Sequence, residues 1–282
     1  MSLFLKLTFL FCIGSLSGWV LEVFYRRFFS DANPERKWIN PGLCQGPYLP
    51  LYGTGLCVLY LIAMSEKYYL LSNPIANKIM LFLVMSVSMT AIEYILGYLT
   101  LTYSHVRLWD YRNEWGNIQG LICPKFSMYW SILGAMYYFL IHPHILESLE
   151  WLANNLGFSF GVGLFFGIFS IDFANATNMV MTIKKYASEH DMVVKYEEFK
   201  EQIRAHHEAR NLKYHFFAPL HTAKPVQEYL YDMKMQVEYK KEQFEAGVIQ
   251  KKQEIEYELM ETREEISNEV IQKVDKFKKK KG

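Results

Sequence analysis

The chain has 282 residues, of which 51% are apolar and 21% charged, and its formal net charge is +1. Residues 1–183 carry ten Lys or Arg and ten Asp or Glu, out of totals of 30 and 29, so most of the charge lies in the last 99 residues. A change this sharp indicates a domain boundary. Neither part has a one-sided basic charge, so the composition argues against a nucleic-acid partner.

Five apolar stretches are long enough to be membrane spans, which need about 20 residues of helix. They cover about residues 3–23, 48–64, 79–103, 121–141 and 156–183. The first lacks the basic start and the cleavage site of a signal peptide, so we interpret it as a membrane anchor. The sequence therefore predicts an all-α integral membrane protein, with a helical bundle over residues 1–183 in the lipid bilayer.

The distribution of basic residues between the loops predicts the orientation of the bundle, because cytoplasmic loops are enriched in Lys and Arg. One set of loops holds Arg26, Arg27, Arg36, Lys37, Arg107, Arg112, Lys184 and Lys185, and the opposite set holds Lys6, Lys67 and Lys78. We expect the first set to be cytoplasmic. With five spans, the N-terminus is then outside and the C-terminal tail is in the cytoplasm.

Pairs of glycines four residues apart occur in the first and the fifth predicted spans. They are Gly14 with Gly18, Gly157 with Gly161, and Gly163 with Gly167. Small residues at this spacing let two helix backbones approach closely in lipid. We expect these glycines to lie at contacts between helices.

Two polar loops carry ordered motifs rich in Gly, Pro and aromatic residues. The first loop contains Asn40, Gly42, Gly46, Pro47, Tyr48, Pro50, Tyr52 and Gly53, and the second contains Trp109, Asp110, Tyr111, Asn117, Gly120 and Cys123. In the first loop, the density of prolines and glycines excludes a regular helix. Irregular backbone at membrane depth is stable only when it is buried in protein or lines water. The alternative is a surface turn that leads into a helix.

With Gly18–Glu22, Tyr25, Arg26, Glu93, Tyr94 and Gly97, these loops resemble a bacterial family of membrane proteins described as putative ABC-transporter type IV permeases. The resemblance covers roughly residues 10–145. It implies a transport component that works with a separate ATPase subunit. The chain itself contains no GxxxxGK[ST] pattern, so it cannot bind and hydrolyse ATP through such a loop.

Ionisable residues within the apolar stretches are candidates for function, because a charge in the bilayer is costly unless it is paired. The candidates are Glu22, Arg26, Glu93, Lys125, Asp172 and Asn175. Glu93 lies about 21 Å from the start of the third span, and Asp172 about 24 Å from the start of the fifth, at 1.5 Å per residue. All except Asn175 can therefore share one layer toward the cytoplasmic side, and Asn175 follows Asp172 by three residues on approximately the same helix face.

Two interpretations of this polar layer remain open. It forms a cavity for an ion, a proton or a small polar substrate, or it consists of internal ion pairs such as Glu22 with Arg26 and Glu93 with Lys125. The spacings of the His and Cys residues indicate no metal site, and no cofactor is expected. No HExxH pattern or nucleophile–base arrangement occurs either, so an enzyme is the weakest interpretation.

The region after residue 183 divides into a polar connector, 184–225, and a long charged helix, 226–282. Apolar residues recur every eleven positions along the helix: Met233 and Val237, Phe244 and Val248, Ile255 and Leu259, Ile266 and Val270, then Phe277. This period gives a nearly straight, coiled-coil-like stripe. One stripe cannot bury itself, so we expect it to pair with itself or with another helical protein. A membrane scaffold or sensor is thus the alternative to a permease.

Overall fold

The protein is almost entirely α-helical in a computed structural model that describes residues 3–30, 33–68, 71, 73–210, 216 and 224–279. The side chains at positions 146, 150, 153, 154, 156 and 264–279 lie outside this description. The predicted all-α class is therefore confirmed. Among the described residues, the sole paired strands are β1 (Val106–Arg107) and β2 (Val194–Lys195), which run parallel.

The helices follow one another in the order predicted from the apolar stretches, with two additions. They are α1 (Leu3–Phe28), α2 (Pro50–Met64), α3 (Pro74–Ser104), α4 (Pro124–Met136), α5 (His142–Asn154), α6 (Leu156–Glu189), α7 (Tyr196–Ala209) and α8 (Val226–Lys279). The additions are α5 and α7, which lie in segments expected to be a loop and a connector. A short 3-10 turn, Ser65–Tyr68, follows α2.

Three of the described helices are long and apolar enough to cross a membrane: Leu3–Phe28, Pro74–Ser104 and Gly157–Glu189. The predicted spans at 48–64 and 121–141 correspond to shorter helices. α2 has 15 residues, and α4 has 13 residues followed by a π-helical turn, Tyr137–Ile141. The chain is thus a membrane protein by its apolar helices, while the count of five spans stays a prediction.

The fourth predicted span differs from the observed helices at both ends. α4 begins at Pro124 rather than at Leu121, because Ile118 and Ile122 pair across a tight turn just before it. At the other end the chain continues into α5, with Pro143 in the first turn. Proline has no N–H to donate, so it is tolerated at such a position, directly after the π-helical turn.

The crossing of α1 and α2 depends on glycines, as the spacing of Gly14 and Gly18 predicts. A Cβ at Gly14 would lie 2.9 Å from Leu56 Cβ, and a Cβ at Gly18 would lie 2.2 Å from the ring of Tyr52. On the facing helix, a Cβ at Gly53 would lie 2.2 Å from Ser15 Oγ. The absence of side chains at these positions is therefore what lets the two backbones approach.

The glycines of α6 do not behave in this way, and the prediction that they pack against another helix of the chain was wrong. A Cβ at Gly157, Gly161, Gly163 or Gly167 would meet no described atom within 4 Å. α6 contacts the bundle through other residues, including Phe166 and Phe169, whose rings pack against Phe11 of α1. The glycine spacing alone did not show which face of α6 meets a neighbour.

Helix α7 packs on the structure through one apolar face. Tyr196, Phe199 and Ile203 are all buried at helical spacing. Just before α7, the parallel pairing of β2 with β1 attaches its N-terminal end to the loop that follows α3. The rest of the predicted connector, residues 211–215 and 217–223, lies outside the described residues.

The chain divides into two compact units, Met1–Leu230 and Tyr231–Gly282. The second unit is the greater part of α8. Among its described side chains, Val237, Phe244 and Leu259 of the eleven-residue stripe are exposed. Ile266, Val270 and Phe277 of that stripe lie outside the described side chains. The predicted boundaries at residues 183 and 225 stay predictions.

We predict that Gly18→Ala destabilises the bundle, because the new methyl group would overlap the ring of Tyr52. Overpacking of this kind costs about 1–3 kcal/mol. Thermal unfolding of the detergent-solubilised protein measures the change. The matched control is Gly161→Ala, which has open space around it and should leave the unfolding temperature unchanged or slightly higher, because Ala favours a helix more than Gly does. Equal effects of the two substitutions would contradict this account of the helix crossing.

Candidate functional site

Glu93, on α3, is a buried acid inside the bundle. It is 2% exposed, and its Oε1 accepts a hydrogen bond from the hydroxyl of Tyr111 at 3.0 Å. The Tyr111 ring stacks on Phe126, with 4.2 Å between the ring centroids, which fixes the donor in place. Its other oxygen, Oε2, is buried without a hydrogen bond of standard geometry among the described residues, and Trp130 lies beside the carboxylate. No described Lys or Arg forms an ion pair with Glu93.

Glu22, on α1, is the second acid of this region, and each of its two carboxylate oxygens accepts a hydrogen bond. The hydroxyl of Tyr52 donates to its Oε2 at 3.0 Å, and Arg26 Nε donates to its Oε1 at 3.0 Å. The Glu22–Arg26 pair predicted from the four-residue spacing is thus present. Glu22 also lies close enough to Glu93 for their charges to interact. Because Gly18 has no side chain, the ring of Tyr52 can pack directly against α1 at this position.

The polar contacts continue from Arg26 to helix α7. Arg26 Nη1 lies 2.8 Å from Glu197 Oε2, and Lys200 Nζ lies 3.1 Å from Glu197 Oε1. Lys200 also donates to the backbone carbonyl of Asn40 at 3.3 Å. We call these residues the carboxylate network: contacts join Tyr52, Glu22, Arg26, Glu197 and Lys200, and the Glu93–Tyr111 pair is coupled to Glu22 by charge alone. It links the interior of the bundle to α7.

Both α7 members of the network have lowered pKa values, but the causes differ: positive charges act on Glu197, and burial acts on Lys200. Burial by itself would raise the pKa of Glu197, but the positive charges of Arg26 and Lys200 outweigh it and hold the pKa below the ordinary 4.5. Burial lowers the pKa of Lys200 below the ordinary 10.5, and the charge of Glu197 opposes this only in part. Glu197 is therefore held as an anion between two cations.

Asp172, on α6, does not join this network but fixes the first motif loop. Its carboxylate accepts hydrogen bonds from the backbone N–H of Gln45 at 3.1 Å and of Gly46 at 2.8 Å. It also accepts one from the hydroxyl of Tyr48 at 2.5 Å. Irregular backbone inside a membrane protein needs such partners. Asp172 therefore supplies the acceptors that let the loop pack against α6.

Asn40 organises the same loop from within. Its Oδ1 accepts hydrogen bonds from the indole of Trp19 at 3.0 Å and from the backbone N–H of Gly42 at 3.1 Å. Its Nδ2 donates to the carbonyl of Gln45 at 2.9 Å. The loop ends where Pro50 begins α2. The first motif thus encodes a defined fold of the chain rather than a surface turn.

The second motif loop is stabilised in a similar way. Asn117 Oδ1 accepts the backbone N–H of Gly120, which has a φ of +68° that favours glycine. Asp110 is bound by Arg112 in a two-pronged ion pair, with the shortest contact at 2.6 Å. Trp109 donates its indole N–H to a backbone carbonyl of the loop at 2.8 Å. These residues position Tyr111 beneath the bundle.

Two candidates from the sequence lie apart from the carboxylate network. Lys125 is bound to Glu114 at 2.7 Å and is half-exposed, so the predicted pair with Glu93 is not formed. Asn175 is exposed and makes no hydrogen bond among the described residues, although Asp172 is engaged with the loop. Three residues along a helix leave the two side chains only 60° apart, so Asn175 lies beside Asp172 on nearly the same face but on its exposed edge.

Sequence reasoning missed Glu197 and Lys200, because residues 184–225 looked like a polar connector. A signal was present in the chain. Tyr196, Phe199 and Ile203 are spaced three and four residues apart, as on one face of an amphipathic helix. The polar residues that flank this apolar stripe lie at the edge of the buried face, where a charge needs a partner.

The fold and the network define a class: a multi-helix membrane protein with a buried acid in its bundle and a polar connection to a peripheral helix. A family model described as putative ABC-transporter type IV matches residues 9–177. The chain belongs to this family, which confirms the resemblance noted in its motifs. No curated protein and no solved structure matches the chain.

We predict that Glu197→Gln lowers the free energy of unfolding by about 1–3 kcal/mol at neutral pH, because Arg26 loses a charged partner. The folded-state pKa of Glu197 is lowered, so its stabilisation is present above its ordinary pKa and is lost as the pH falls below it. The difference in free energy of unfolding between wild type and Glu197→Gln should therefore become smaller below about pH 4.5. Chemical denaturation at several pH values measures it.

The matched control for this experiment is Glu201→Gln. Glu201 lies on the same helix, but it is 65% exposed and its contact with Arg204 is 3.9 Å. An exposed pair at this distance contributes little. The control should have the free energy of unfolding of wild type at every pH. If the loss of stability in Glu197→Gln were the same at every pH, it would not come from the charge of Glu197.

Proposed function

We propose that the protein is a permease-type component of a transporter in the bacterial inner membrane. In this proposal the bundle crosses the membrane five times, with the N-terminus outside and α7 and α8 in the cytoplasm. Family membership, three long apolar helices and the distribution of Lys and Arg between the loops support it. The shorter α2 and α4 serve as the remaining spans in the interior of the bundle.

The observation that carries the proposal is the environment of Glu93. A carboxylate buried in a membrane bundle without a cation is costly when ionised, and such a residue marks an ion, proton or substrate pathway. Glu93 has a hydroxyl donor in Tyr111, and its second oxygen is buried without a hydrogen bond of standard geometry among the described residues. It is therefore suited to take up a proton, or to bind a cation or the polar group of a substrate, and to release it again.

The carboxylate network gives Glu93 a polar connection toward the cytoplasmic side. Tyr52 and Glu22 follow Glu93, and Arg26 then leads to Glu197 of α7. A change of charge at Glu93 would act on Glu22 through their electrostatic interaction. In the proposed mechanism, α7 responds to the state of the bundle because it is held by an ion pair at the end of α1.

The energy for transport would come from a separate ATPase subunit or from an ion gradient, since the chain has no GxxxxGK[ST] pattern. The proposal assigns no catalytic role, metal or cofactor to the chain itself. Affinity purification of the full-length protein from bacterial membranes should recover an ATP-binding subunit if the first source applies.

We predict that Glu93→Gln abolishes transport, because an amide can neither change its charge nor bind a cation strongly. The measurement compares the small-molecule content of cells and medium by mass spectrometry in a deletion strain. At least one compound should change on deletion and be restored by the wild-type gene but not by Glu93→Gln. Tyr111→Phe should have a partial effect, because it removes only the hydrogen bond to Glu93.

The control for this experiment is Asn175→Ala, at an exposed position outside the network. It should restore the compound as well as wild type does. Membrane levels of every variant are compared by immunoblot. Full restoration by Glu93→Gln at a normal protein level would exclude Glu93 from the transport pathway.

A second candidate function is a membrane scaffold or sensor that recruits a partner through α8. The observation in its favour is the exposed apolar stripe, in which Phe244 is 72% exposed. Apolar residues at this period on a highly charged helix favour a helical partner. The partner is either a second copy of the chain or another helical protein.

We predict that Val248→Asp weakens this association, because it places a charge within the stripe. The expected result is a smaller particle in light scattering of the detergent-solubilised protein, or loss of a co-purified partner. Ile249→Asp is the matched control, since Ile249 is equally exposed but lies about 100° away around the helix. Identical behaviour of both variants and wild type would argue against the scaffold.

A further inference from the structure

A cavity of about 330 Å³ lies between α7 and two loops of the bundle, and it shares Glu197 and Lys200 with the carboxylate network. Residues 33–40, 107–113 and 195–204 supply its walls, and the pairing of β1 with β2 joins two of them. The motif residues Asn40, Trp109 and Asp110 are part of the lining. The cavity is large enough for a small metabolite or a lipid headgroup.

The charges that are most deeply buried in this cavity are positive. The side chain of Lys200 is 8% exposed, that of Arg107 is 11% exposed and that of Arg204 is 14% exposed. In contrast, the acids Glu35 and Glu201 are 60% and 65% exposed. Solvent screens charges at such exposed positions. The three most buried charges of the cavity are therefore positive, and the acids Asp110 and Glu197 are more exposed, at 26% and 28%.

The other acids of the lining are already neutralised by cations. Each has a basic partner within hydrogen-bonding distance: Asp110 with Arg112 at 2.6 Å, Glu197 with Arg26 at 2.8 Å, and Glu198 with Lys195 at 2.6 Å. Two of these cations, Arg112 and Arg26, are not lining residues themselves. These three acids therefore form no hydrogen bond with Arg107 or Arg204, the two arginines of the lining.

Both guanidinium groups keep unused hydrogen-bond donors. Arg204 approaches carboxylate oxygens only at 3.8–4.0 Å, beyond hydrogen-bonding distance. Arg107 donates one N–H to the carbonyl of Gln119 at 3.0 Å, and Asp110 lies 4.0 Å away. A guanidinium has five N–H donors in a planar fork that matches the oxygens of a phosphate or a carboxylate.

We propose that this cavity binds a small molecule that carries an oxyanion group, a phosphate or a carboxylate. Arg107 and Arg204 supply the hydrogen bonds, while Lys200 stays paired with Glu197 beside them. The oxyanion belongs either to a soluble metabolite or to the headgroup of an anionic lipid. This site goes beyond the transport proposal and does not rest on it, because Glu93 lies elsewhere in the bundle.

Inorganic phosphate is the probe for the first test, with the purified full-length protein in a neutral detergent. Calorimetry at constant ionic strength should show saturable binding of phosphate. Arg204→Gln should weaken it about tenfold, the loss expected for one charge-assisted hydrogen-bonding group. Arg204 makes no hydrogen bond within the described part of the chain and contacts only exposed acids at 3.8–4.0 Å, so this variant should stay close to the wild-type unfolding temperature.

Two further variants sharpen the test. Arg107→Gln should also weaken binding, and Arg210→Gln is the matched control, an exposed arginine just after α7 that does not line the cavity. The control should bind phosphate like wild type. The proposal is overturned by the absence of saturable phosphate binding to wild type, or by binding that both Arg204→Gln and Arg107→Gln retain in full.

The source of the oxyanion is distinguished by repeating the measurement in lipid nanodiscs. If the ligand is a lipid headgroup, nanodiscs of phosphatidylglycerol should suppress phosphate binding, while nanodiscs of phosphatidylcholine should preserve it. If the ligand is soluble, phosphate should bind equally in both. Either pattern supports the site, provided that Arg204→Gln reduces the binding seen in phosphatidylcholine.

Discussion

The ion pairs of Arg26 are the interaction on which the arrangement of this protein depends. A guanidinium at the end of a membrane helix is costly to bury unless carboxylates surround it. Here Glu22 comes from the same helix, and Glu197 comes from α7, far along the chain. One cation thus holds a peripheral helix against the bundle, and Lys200 of that helix in turn contacts the first motif loop at Asn40.

The motif loops follow from a second constraint, the need to satisfy every backbone polar group that is removed from water. Asp172 and Asn40 do this for the first loop, and Asn117 contributes in the second. Their side chains replace hydrogen bonds that a helix would have made. Polar residues in this family motif therefore have a structural role at several positions, and their presence alone does not identify a transport pathway.

The sequence was sufficient for the long apolar helices, but it missed α5 and α7 and did not give the mutual orientation of the helices. Hydropathy located α1 and α3 to within a few residues, because length and composition decide which helices suit a bilayer. Depth along a helix correctly placed Glu22 near Glu93. It could not give the direction in which a side chain points, so it wrongly paired Lys125 with Glu93. Contacts between distant segments, such as Arg26 with Glu197, leave no local pattern.

The acids Glu93 and Glu197 differ in their partners, and this difference separates a structural role from a functional one. Glu197 lies between two cations, and its pKa is lowered, so it stays ionised and acts as a fixed connection. Glu93 has no cation among the described residues and only one hydroxyl donor. Its ionised form is poorly compensated, so binding a proton or a cation there would relieve an energetic cost. A group that gains from binding is the better candidate for transport than one already satisfied, which is why the proposed pathway is centred on Glu93.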